Sequence, residues 1–138
     1  MTARRRYRYA EVDDVLQPVV HVTLERRAGT HRERYVRTLA VVDPASPLTT
    51  VPGEFADELG LSLSDLPARL VDGVSYAIAE VTVHIDGQPR LRARVGFGGE
   101  REYVHLGHAQ VLEHFRMVFE PYDDRFLLEY RPPLELDP

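Results

Sequence analysis

The sequence predicts a mainly β domain whose strands close into a barrel or a sandwich-like arrangement. Several stretches alternate apolar and polar residues with a period of two, which is typical of strands with one buried face. Two dipeptides, Asp72-Gly73 and Asp86-Gly87, separate such stretches and favour tight hairpin turns. Only two short segments have helical spacing, so strands are expected to dominate.

The composition is that of one folded domain and excludes several classes of site. The chain has 138 residues, of which 43% are hydrophobic and 28% charged, so it can bury a core. It contains no cysteine, which excludes disulfides, iron–sulfur clusters, thiolate zinc sites and a cysteine nucleophile. A net charge of −5 gives a nucleic-acid role no support, and no apolar run matches a membrane span. With no secretory signal, we expect a cytoplasmic, bacterial-style protein without nucleic-acid or membrane partners.

We expect one folded region between two short ends. Residues 1–18 pass from an arginine-rich stretch into an acidic one and are interpreted as a flexible extension or a peripheral strand. An arm for nucleic acid or an acidic partner is disfavoured, because the two charge blocks partly cancel. Residues 19–130 carry the β pattern, and residues 131–138 have the character of a frayed tail.

The first two predicted strands lead to an acidic residue. Residues 20–24 alternate apolar and polar side chains, and the polar segment Arg26–Arg34, which contains Gly29, is expected to form a hairpin tip. The second strand, Tyr35–Val42, ends in four apolar residues, so its end is expected to be buried on both faces. Asp43 follows directly, which is an unusual position for a carboxylate.

The next segments are expected to be a loop and two short helices separated by strands. Three prolines between residues 43 and 52 prevent regular hydrogen bonding there. Residues 54–59 form the first helix candidate, which Gly60 would end. The second helix is predicted over residues 108–115, where three apolar side chains share one side.

Six further strands complete the pattern. They are expected at Ala68–Val71, Ser75–Ile85, Leu91–Phe97, Tyr103–Leu106, Met117–Glu120 and Arg125–Tyr130. The third of these has the clearest signal, because its apolar residues alternate with Arg92, Arg94 and the preceding Arg90. This arginine face is a candidate surface for an acidic partner, although such residues more commonly keep an exposed strand from aggregating.

Three motifs in the same order resemble the retropepsin-like aspartic peptidases. Leu-Ala-Val-Val-Asp at 39–43, followed by Thr-Thr-Val-Pro and by Leu-Gly-Leu at 59–61, is similar to that family's active-site segment. Residues 71–76 fall where the family has its flap, and Val-His-Leu-Gly at 104–107 resembles its aliphatic-Leu-Gly strand. The resemblance covers roughly residues 19–130. It implies a single lobe of the acid protease fold, a closed β-barrel with two short helices and a flap hairpin.

This resemblance implies peptide hydrolysis by a pair of carboxyl groups. One carboxylate activates a water, while the other, protonated, polarises the carbonyl group. Two carboxyls about 3 Å apart share one proton. The chain has a single matching aspartate, so a C2 homodimer is implied, with one Asp43 from each subunit and a peptide or protein as substrate. No cofactor is implied.

The resemblance also assigns the residues of the site. Asp43 is the catalytic residue, and Pro44, Ala45 and Ser46 form the active-site loop. The flap comprises Val71, Asp72, Gly73, Val74, Ser75 and Tyr76, and it would open to admit substrate.

The centre of the motif departs from the family pattern. Pro44 and Ala45 stand where the family has Thr or Ser and then Gly. Pro44 lacks the hydroxyl that links the two catalytic loops in the family, and Ala45 would be strained at a positive φ. Two hypotheses follow. The protein is a peptidase whose loop is braced in another way, or it is an inactive module that dimerises and holds a peptide in the same cleft.

Other sites are weighed against these hypotheses. His105, His108 and His114 suggest a metal site, because imidazoles suit zinc or nickel. No acidic residue at ligand spacing completes a set, so we predict no metal site. The sequence has neither a nucleophile elbow nor a phosphate loop, which disfavours a serine hydrolase and a nucleotide-binding protein.

Overall fold

The computed structural model describes residues 4–28 and 32–132, where strands are the dominant structure. The ten strands of these ranges are β1 (Arg4–Val12), β2 (Val15–Ala28), β3 (Arg32–Val42), β4 (Thr50–Val51), β5 (Ala68–Val71), β6 (Val74–Ile85), β7 (Leu91–Phe97), β8 (Val104–Leu106), β9 (Phe115–Glu120) and β10 (Arg125–Tyr130). They are joined by a short α-helix, α1 (Phe55–Glu58), and by 3-10 helices at Leu63–Asp65, Leu112–His114 and Pro121–Asp123. The prediction of a mainly β fold is confirmed. The predicted tip of the first hairpin is too long, because residues 26–28 belong to β2 and residues 32–34 to β3. Residues 29–31 and most of the predicted tail lie outside the described residues.

The strands form one sheet that closes on itself. Its order is β5-β6-β7-β4-β8-β3-β2-β1-β10-β9, and an additional pairing of β2 with β6 joins six strands into a ring. Most neighbours are antiparallel, but β3 is parallel to β8 and β4 is parallel to β7. Residues 4–12, in the segment predicted to be an extension or a peripheral strand, form β1. This strand pairs with both β2 and β10 and so links the ring to the β9–β10 hairpin.

Alternation along the strands separates the core from the outer face. The strand β7 has the predicted bounds, and its four alternating apolar side chains are buried. Of the predicted arginine face, Arg92 pairs with Glu80 at 2.6 Å and Arg90 with Glu25 at 3.6 Å. Acidic residues of β6, which pairs with β7, and of β2, which pairs with β6, therefore compensate part of this positive charge.

The first predicted helix is confirmed, and the second is wrong. The helix α1 lies within the predicted segment 54–59. Residues 108–115 instead form turns, a 3-10 helix and the start of β9. Gln110 has a φ of 66°, which an α-helix does not allow, and its Oε1 accepts a hydrogen bond of 2.7 Å from the Arg94 backbone N–H. A tertiary contact with β7 thus competes with helix formation. Among the helices of residues 4–28 and 32–132, none has the length and apolarity needed to cross a membrane.

Tyr7 connects β1 to the turn between β6 and β7. Its hydroxyl donates a hydrogen bond of 2.6 Å to the Asp86 carbonyl and accepts one of 3.2 Å from Gln88 Nε2. Its ring stacks on Phe126 with a centroid separation of 5.4 Å. Burial raises the pKa of the Tyr7 hydroxyl, so the group stays a protonated donor at neutral pH.

Replacing Tyr7 by Phe is expected to lower the free energy of unfolding by about 1–2 kcal/mol, because the Asp86 carbonyl loses its donor while the ring packing is kept. Chemical denaturation of both proteins measures this difference. Tyr122→Phe is the control, since the Tyr122 side chain is fully exposed and its loss of a hydroxyl should leave stability unchanged. Equal effects of the two substitutions would contradict the importance of the Tyr7 hydrogen bonds.

Candidate active site

Asp43 lies at the end of β3, beside the parallel strand β8. In this pair Val41 is opposite His105 and Val42 is opposite Leu106. The backbone N–H of Asp43 donates a hydrogen bond of 3.0 Å to the Leu106 carbonyl, which extends the ladder beyond the last strand residue. The final three residues of β3 are buried, as the sequence predicts. The backbone of Asp43 is therefore held by the sheet.

The predicted loop residues form a tight turn after Asp43. The Ser46 N–H donates a hydrogen bond of 3.0 Å to the Asp43 carbonyl, which closes the turn over Pro44 and Ala45. The Ser46 hydroxyl is buried and donates a 2.7 Å bond to the Leu48 carbonyl. Ala45 does not have a positive φ, so its methyl group imposes no backbone strain in this turn.

A second set of hydrogen bonds ties this loop to the segment that follows β8. The N–H groups of His108, Ala109 and Gly107 donate to Ser46 O at 2.8 Å, Pro47 O at 3.1 Å and Thr49 Oγ1 at 2.9 Å, respectively. These three bonds are made within one subunit. The loop is thus braced without the hydroxyl that the family pattern places after the aspartate.

A groove of about 700 Å³ lies between this loop and the β5–β6 hairpin. Asp72 and Gly73 form the hairpin turn with φ values of 50° and 80°, the conformation that Asp-Gly favours. The predicted site residues that line the groove are Asp43, Ala45, Ser46, Val71, Asp72, Gly73, Val74, Ser75 and Tyr76. Pro44 is exposed and is not among the lining residues. The groove thus brings together the segments predicted to be the active-site loop and the flap.

The carboxylate of Asp43 has two charged or ionisable neighbours that sequence reasoning did not assign to it. His105 Nδ1 lies 3.2 Å from Asp43 Oδ2, and Arg101 Nη1 lies 3.7 Å from the same oxygen. About a quarter of the Asp43 side chain is exposed, against 18% of His105 and 45% of Arg101. Asp43 is therefore bounded on one side by a largely buried imidazole and on another by a solvated guanidinium group.

The environment of His105 favours its neutral form. Burial is the main cause that lowers the pKa of the imidazole, and the positive charge of Arg101 adds to this effect. The hydrogen bond and the charge of Asp43 act in the opposite direction, but they only reduce the shift. His105 is thus an uncharged hydrogen-bonding partner of Asp43 at neutral pH.

The sequence carries a signal for the role of His105. The residue is the one polar side chain in Val104–Leu106, between two buried aliphatic residues. Such a position suggests a specific polar partner, and the parallel β3–β8 pairing identifies that partner as Asp43. Arg101 follows the turn at Gly98 and Gly99, whose φ values are 127° and 77°, and no local pattern connects it with Asp43.

The three histidines considered for a metal site have separate surroundings. His105 contacts Asp43, whereas His114 Nε2 lies 3.7 Å from Glu113. His108 is exposed. Within the part of the chain that the structure describes, no three His, Asp or Glu side chains are grouped so that they could hold a metal ion.

Comparison with known proteins supports the fold. The chain is similar to the crystal structure of a retropepsin-like aspartic protease from Rickettsia conorii, with a TM-score of 0.68 and 19% sequence identity over 94% of each chain. No protein-family profile and no curated protein sequence matches the chain. The chain therefore has a retropepsin-like fold, as the motifs in its sequence imply.

Proposed function

We propose that this protein is an aspartic peptidase homologue that acts as a C2 homodimer, with one Asp43 per subunit. The observation that supports this function is the position of Asp43, whose partly exposed carboxylate lines a groove below a β-hairpin in a retropepsin-like fold. The substrate is an extended segment of peptide or unfolded protein. The β5–β6 hairpin acts as the flap over this substrate.

The proposed chemistry needs two carboxyl groups and one water. The ionised carboxylate takes a proton from the water, and the neutral carboxylic acid gives its proton to the carbonyl oxygen of the substrate. Two such groups about 3 Å apart cannot both ionise easily, so one proton is shared between them. A two-fold axis through the site supplies the second Asp43, because an isologous contact places each residue opposite its copy.

The groove and the sheet edge next to it fit an extended ligand. The strand β5 is at one end of the sheet order and leads into the hairpin turn that lines the groove. An extended peptide can add its backbone hydrogen bonds to such an edge, while alternate side chains occupy pockets. A groove of about 700 Å³ is within the usual size of ligand sites.

A second candidate function is peptide binding without cleavage. The contacts of Arg101 and His105 with Asp43 favour it, because both groups lie against Oδ2 of the carboxylate. That oxygen would otherwise be available to the proton shared with the second carboxyl group. Pro44 and Ala45 favour it too, since they replace the hydroxyl and glycine of the family pattern. In this function the dimer and the cleft are retained, and the ligand is released intact.

A cleavage assay with the full chain distinguishes the two candidates. We expect an unfolded protein substrate to be cut at mildly acidic pH, with inhibition by pepstatin and with sedimentation at the mass of a dimer. Absence of pepstatin-sensitive cleavage at every pH from acid to neutral would exclude the peptidase. Binding of a peptide library without cleavage would then support the second candidate, and a monomer would exclude both.

A further inference from the structure

The side-chain contacts of Asp43 distinguish its two carboxylate oxygens. His105 and Arg101 both approach Oδ2, whereas within residues 4–28 and 32–132 no hydrogen bond is made to Oδ1. His105 does not line the groove, although Asp43 does. The imidazole therefore contacts the carboxylate from outside the groove lining, and among the described residues Oδ1 is the oxygen without a hydrogen-bond partner.

We propose that His105 is a positioning residue that donates its Nδ1–H to Asp43 Oδ2, and that Oδ1 is the oxygen that acts on the attacking water. This inference rests on the proposed function and adds a residue to it. In the first step an O–H bond of the water breaks and its proton passes to Oδ1. The water oxygen bonds to the peptide carbonyl carbon, and the carboxylic acid of the second subunit protonates the carbonyl oxygen, which gives a tetrahedral diol. When the diol collapses, the C–N bond breaks, the proton on Oδ1 passes to the nitrogen of the leaving amine, and a hydroxyl proton of the diol returns to the carboxylate of the second subunit.

The direction of the hydrogen bond follows from the charges of the two groups. An ionised carboxylate can only accept hydrogen bonds, so the proton of a neutral imidazole at this contact is on Nδ1. The charged groups that act on His105 are Asp43, Arg101 and Asp13, the last in the turn between β1 and β2. The two acids favour an imidazolium ion, while burial and Arg101 disfavour it and together lower the pKa of His105.

His105 is better placed than Arg101 to hold the carboxylate. The separation of 3.2 Å from Oδ2 is within hydrogen-bond range, and the His105 side chain is largely buried on β8. Arg101 is 3.7 Å away, is nearly half exposed and itself lines the groove. Solvent screens that ion pair, and a bound peptide would compete for the guanidinium group. The fixed contact is therefore the one from His105.

Histidine titrations followed by NMR in the full chain test this contact directly. The Asp43→Asn substitution removes a negative charge that favours the imidazolium ion, so the pKa of His105 is expected to fall below its wild-type value. The signals of His21 and His84 are internal controls, because these residues interact with Asp86 and the substitution at Asp43 should leave their signals unchanged. An unchanged pKa of His105 would overturn the inference whether or not the protein cleaves peptides.

Two substitutions of His105 then test its role in cleavage. His105→Leu removes the donor and is expected to lower kcat/KM by about 10-fold to 100-fold, as for a lost hydrogen bond to a charged group. His105→Asn can keep an N–H donor near the position of Nδ1, so a smaller loss is expected. Because Asn does not titrate, the inflection that His105 contributes to the pH profile should disappear in this variant. A purely structural role would not produce that change.

The outcomes separate this inference from the proposed function. Wild-type activity and an unchanged pH profile in His105→Leu would overturn the inference while the peptidase remained. If the wild-type protein cleaves nothing but the pKa of His105 depends on Asp43, hydrolysis is excluded, and the positioning of Asp43 by His105 is supported. Retained cleavage in His105→Asn together with a loss of cleavage in His105→Leu supports both the peptidase and the positioning role of His105.

Discussion

Replacing Asp43 with Asn is expected to lower kcat/KM for peptide cleavage by about a thousandfold or more, because an amide oxygen cannot take a proton from the water. The two side chains have nearly the same shape, and the Asn oxygen can still accept the hydrogen bond from His105. The fold should therefore persist, which circular dichroism and thermal unfolding can verify. Initial rates at several substrate concentrations give the loss.

Asp65→Asn is the matched control for this substitution. Asp65 is exposed in the 3-10 helix Leu63–Asp65 and does not line the groove, so the same change of charge should leave cleavage at the wild-type level. Full activity of Asp43→Asn would show that another group activates the water. Equal losses in the two variants would point to net charge instead of a catalytic role.

The Gly107→Ala substitution is expected to lower the free energy of unfolding by about 3 kcal/mol and to reduce cleavage as well. A Cβ atom at Gly107 would overlap the backbone carbonyl of Leu48 and would lie 2.8 Å from Ser46 O. Both neighbours are backbone atoms of the loop that follows Asp43, so they cannot rotate away as a side chain would. The loop must shift, and the hydrogen bond from the Gly107 N–H to Thr49 is strained with it.

Gly53→Ala is the control for Gly107→Ala. A Cβ atom at Gly53 would meet Leu63 Cδ1 at 3.5 Å, an ordinary contact, and this glycine does not have a positive φ. Its replacement should change stability by less than about 1 kcal/mol. Thermal unfolding of both variants measures the difference. Similar stability of the two variants would contradict the close packing of Gly107 against the loop.

The local pattern of the sequence predicts most of the strands. The alternation in β7 predicts its bounds, and Asp72-Gly73 predicts the turn at the end of the β5–β6 hairpin, because these signals depend only on neighbouring residues. The apolar end of β3 likewise predicts that Asp43 emerges from a buried strand. The sequence predicts a loop where the two-residue strand β4 forms, since two residues are too few to show a period.

The predicted helix at residues 108–115 shows where local spacing is misleading. Its apolar residues are buried, as an amphipathic helix would require, but the backbone takes another path. The N–H groups of His108 and Ala109 bond to the carbonyls of the Asp43 loop, and Gln110 bonds to β7. These partners are distant in the sequence and together outweigh a weak helical preference.

The sequence by itself determined the mainly β character, the hairpin turns and the position of one acidic residue directly after a buried strand. Only the tertiary structure decided which groups surround that acid. The parallel pairing of β3 with β8 brings together residues 62 positions apart, Asp43 and His105, and the turn after β7 adds Arg101. The alternation of apolar and polar residues and the residue preferences of turns depend on neighbours in the chain. The register of strands that are distant in the sequence depends instead on how the whole ring packs. The immediate surroundings of Asp43 are therefore a property of that packing.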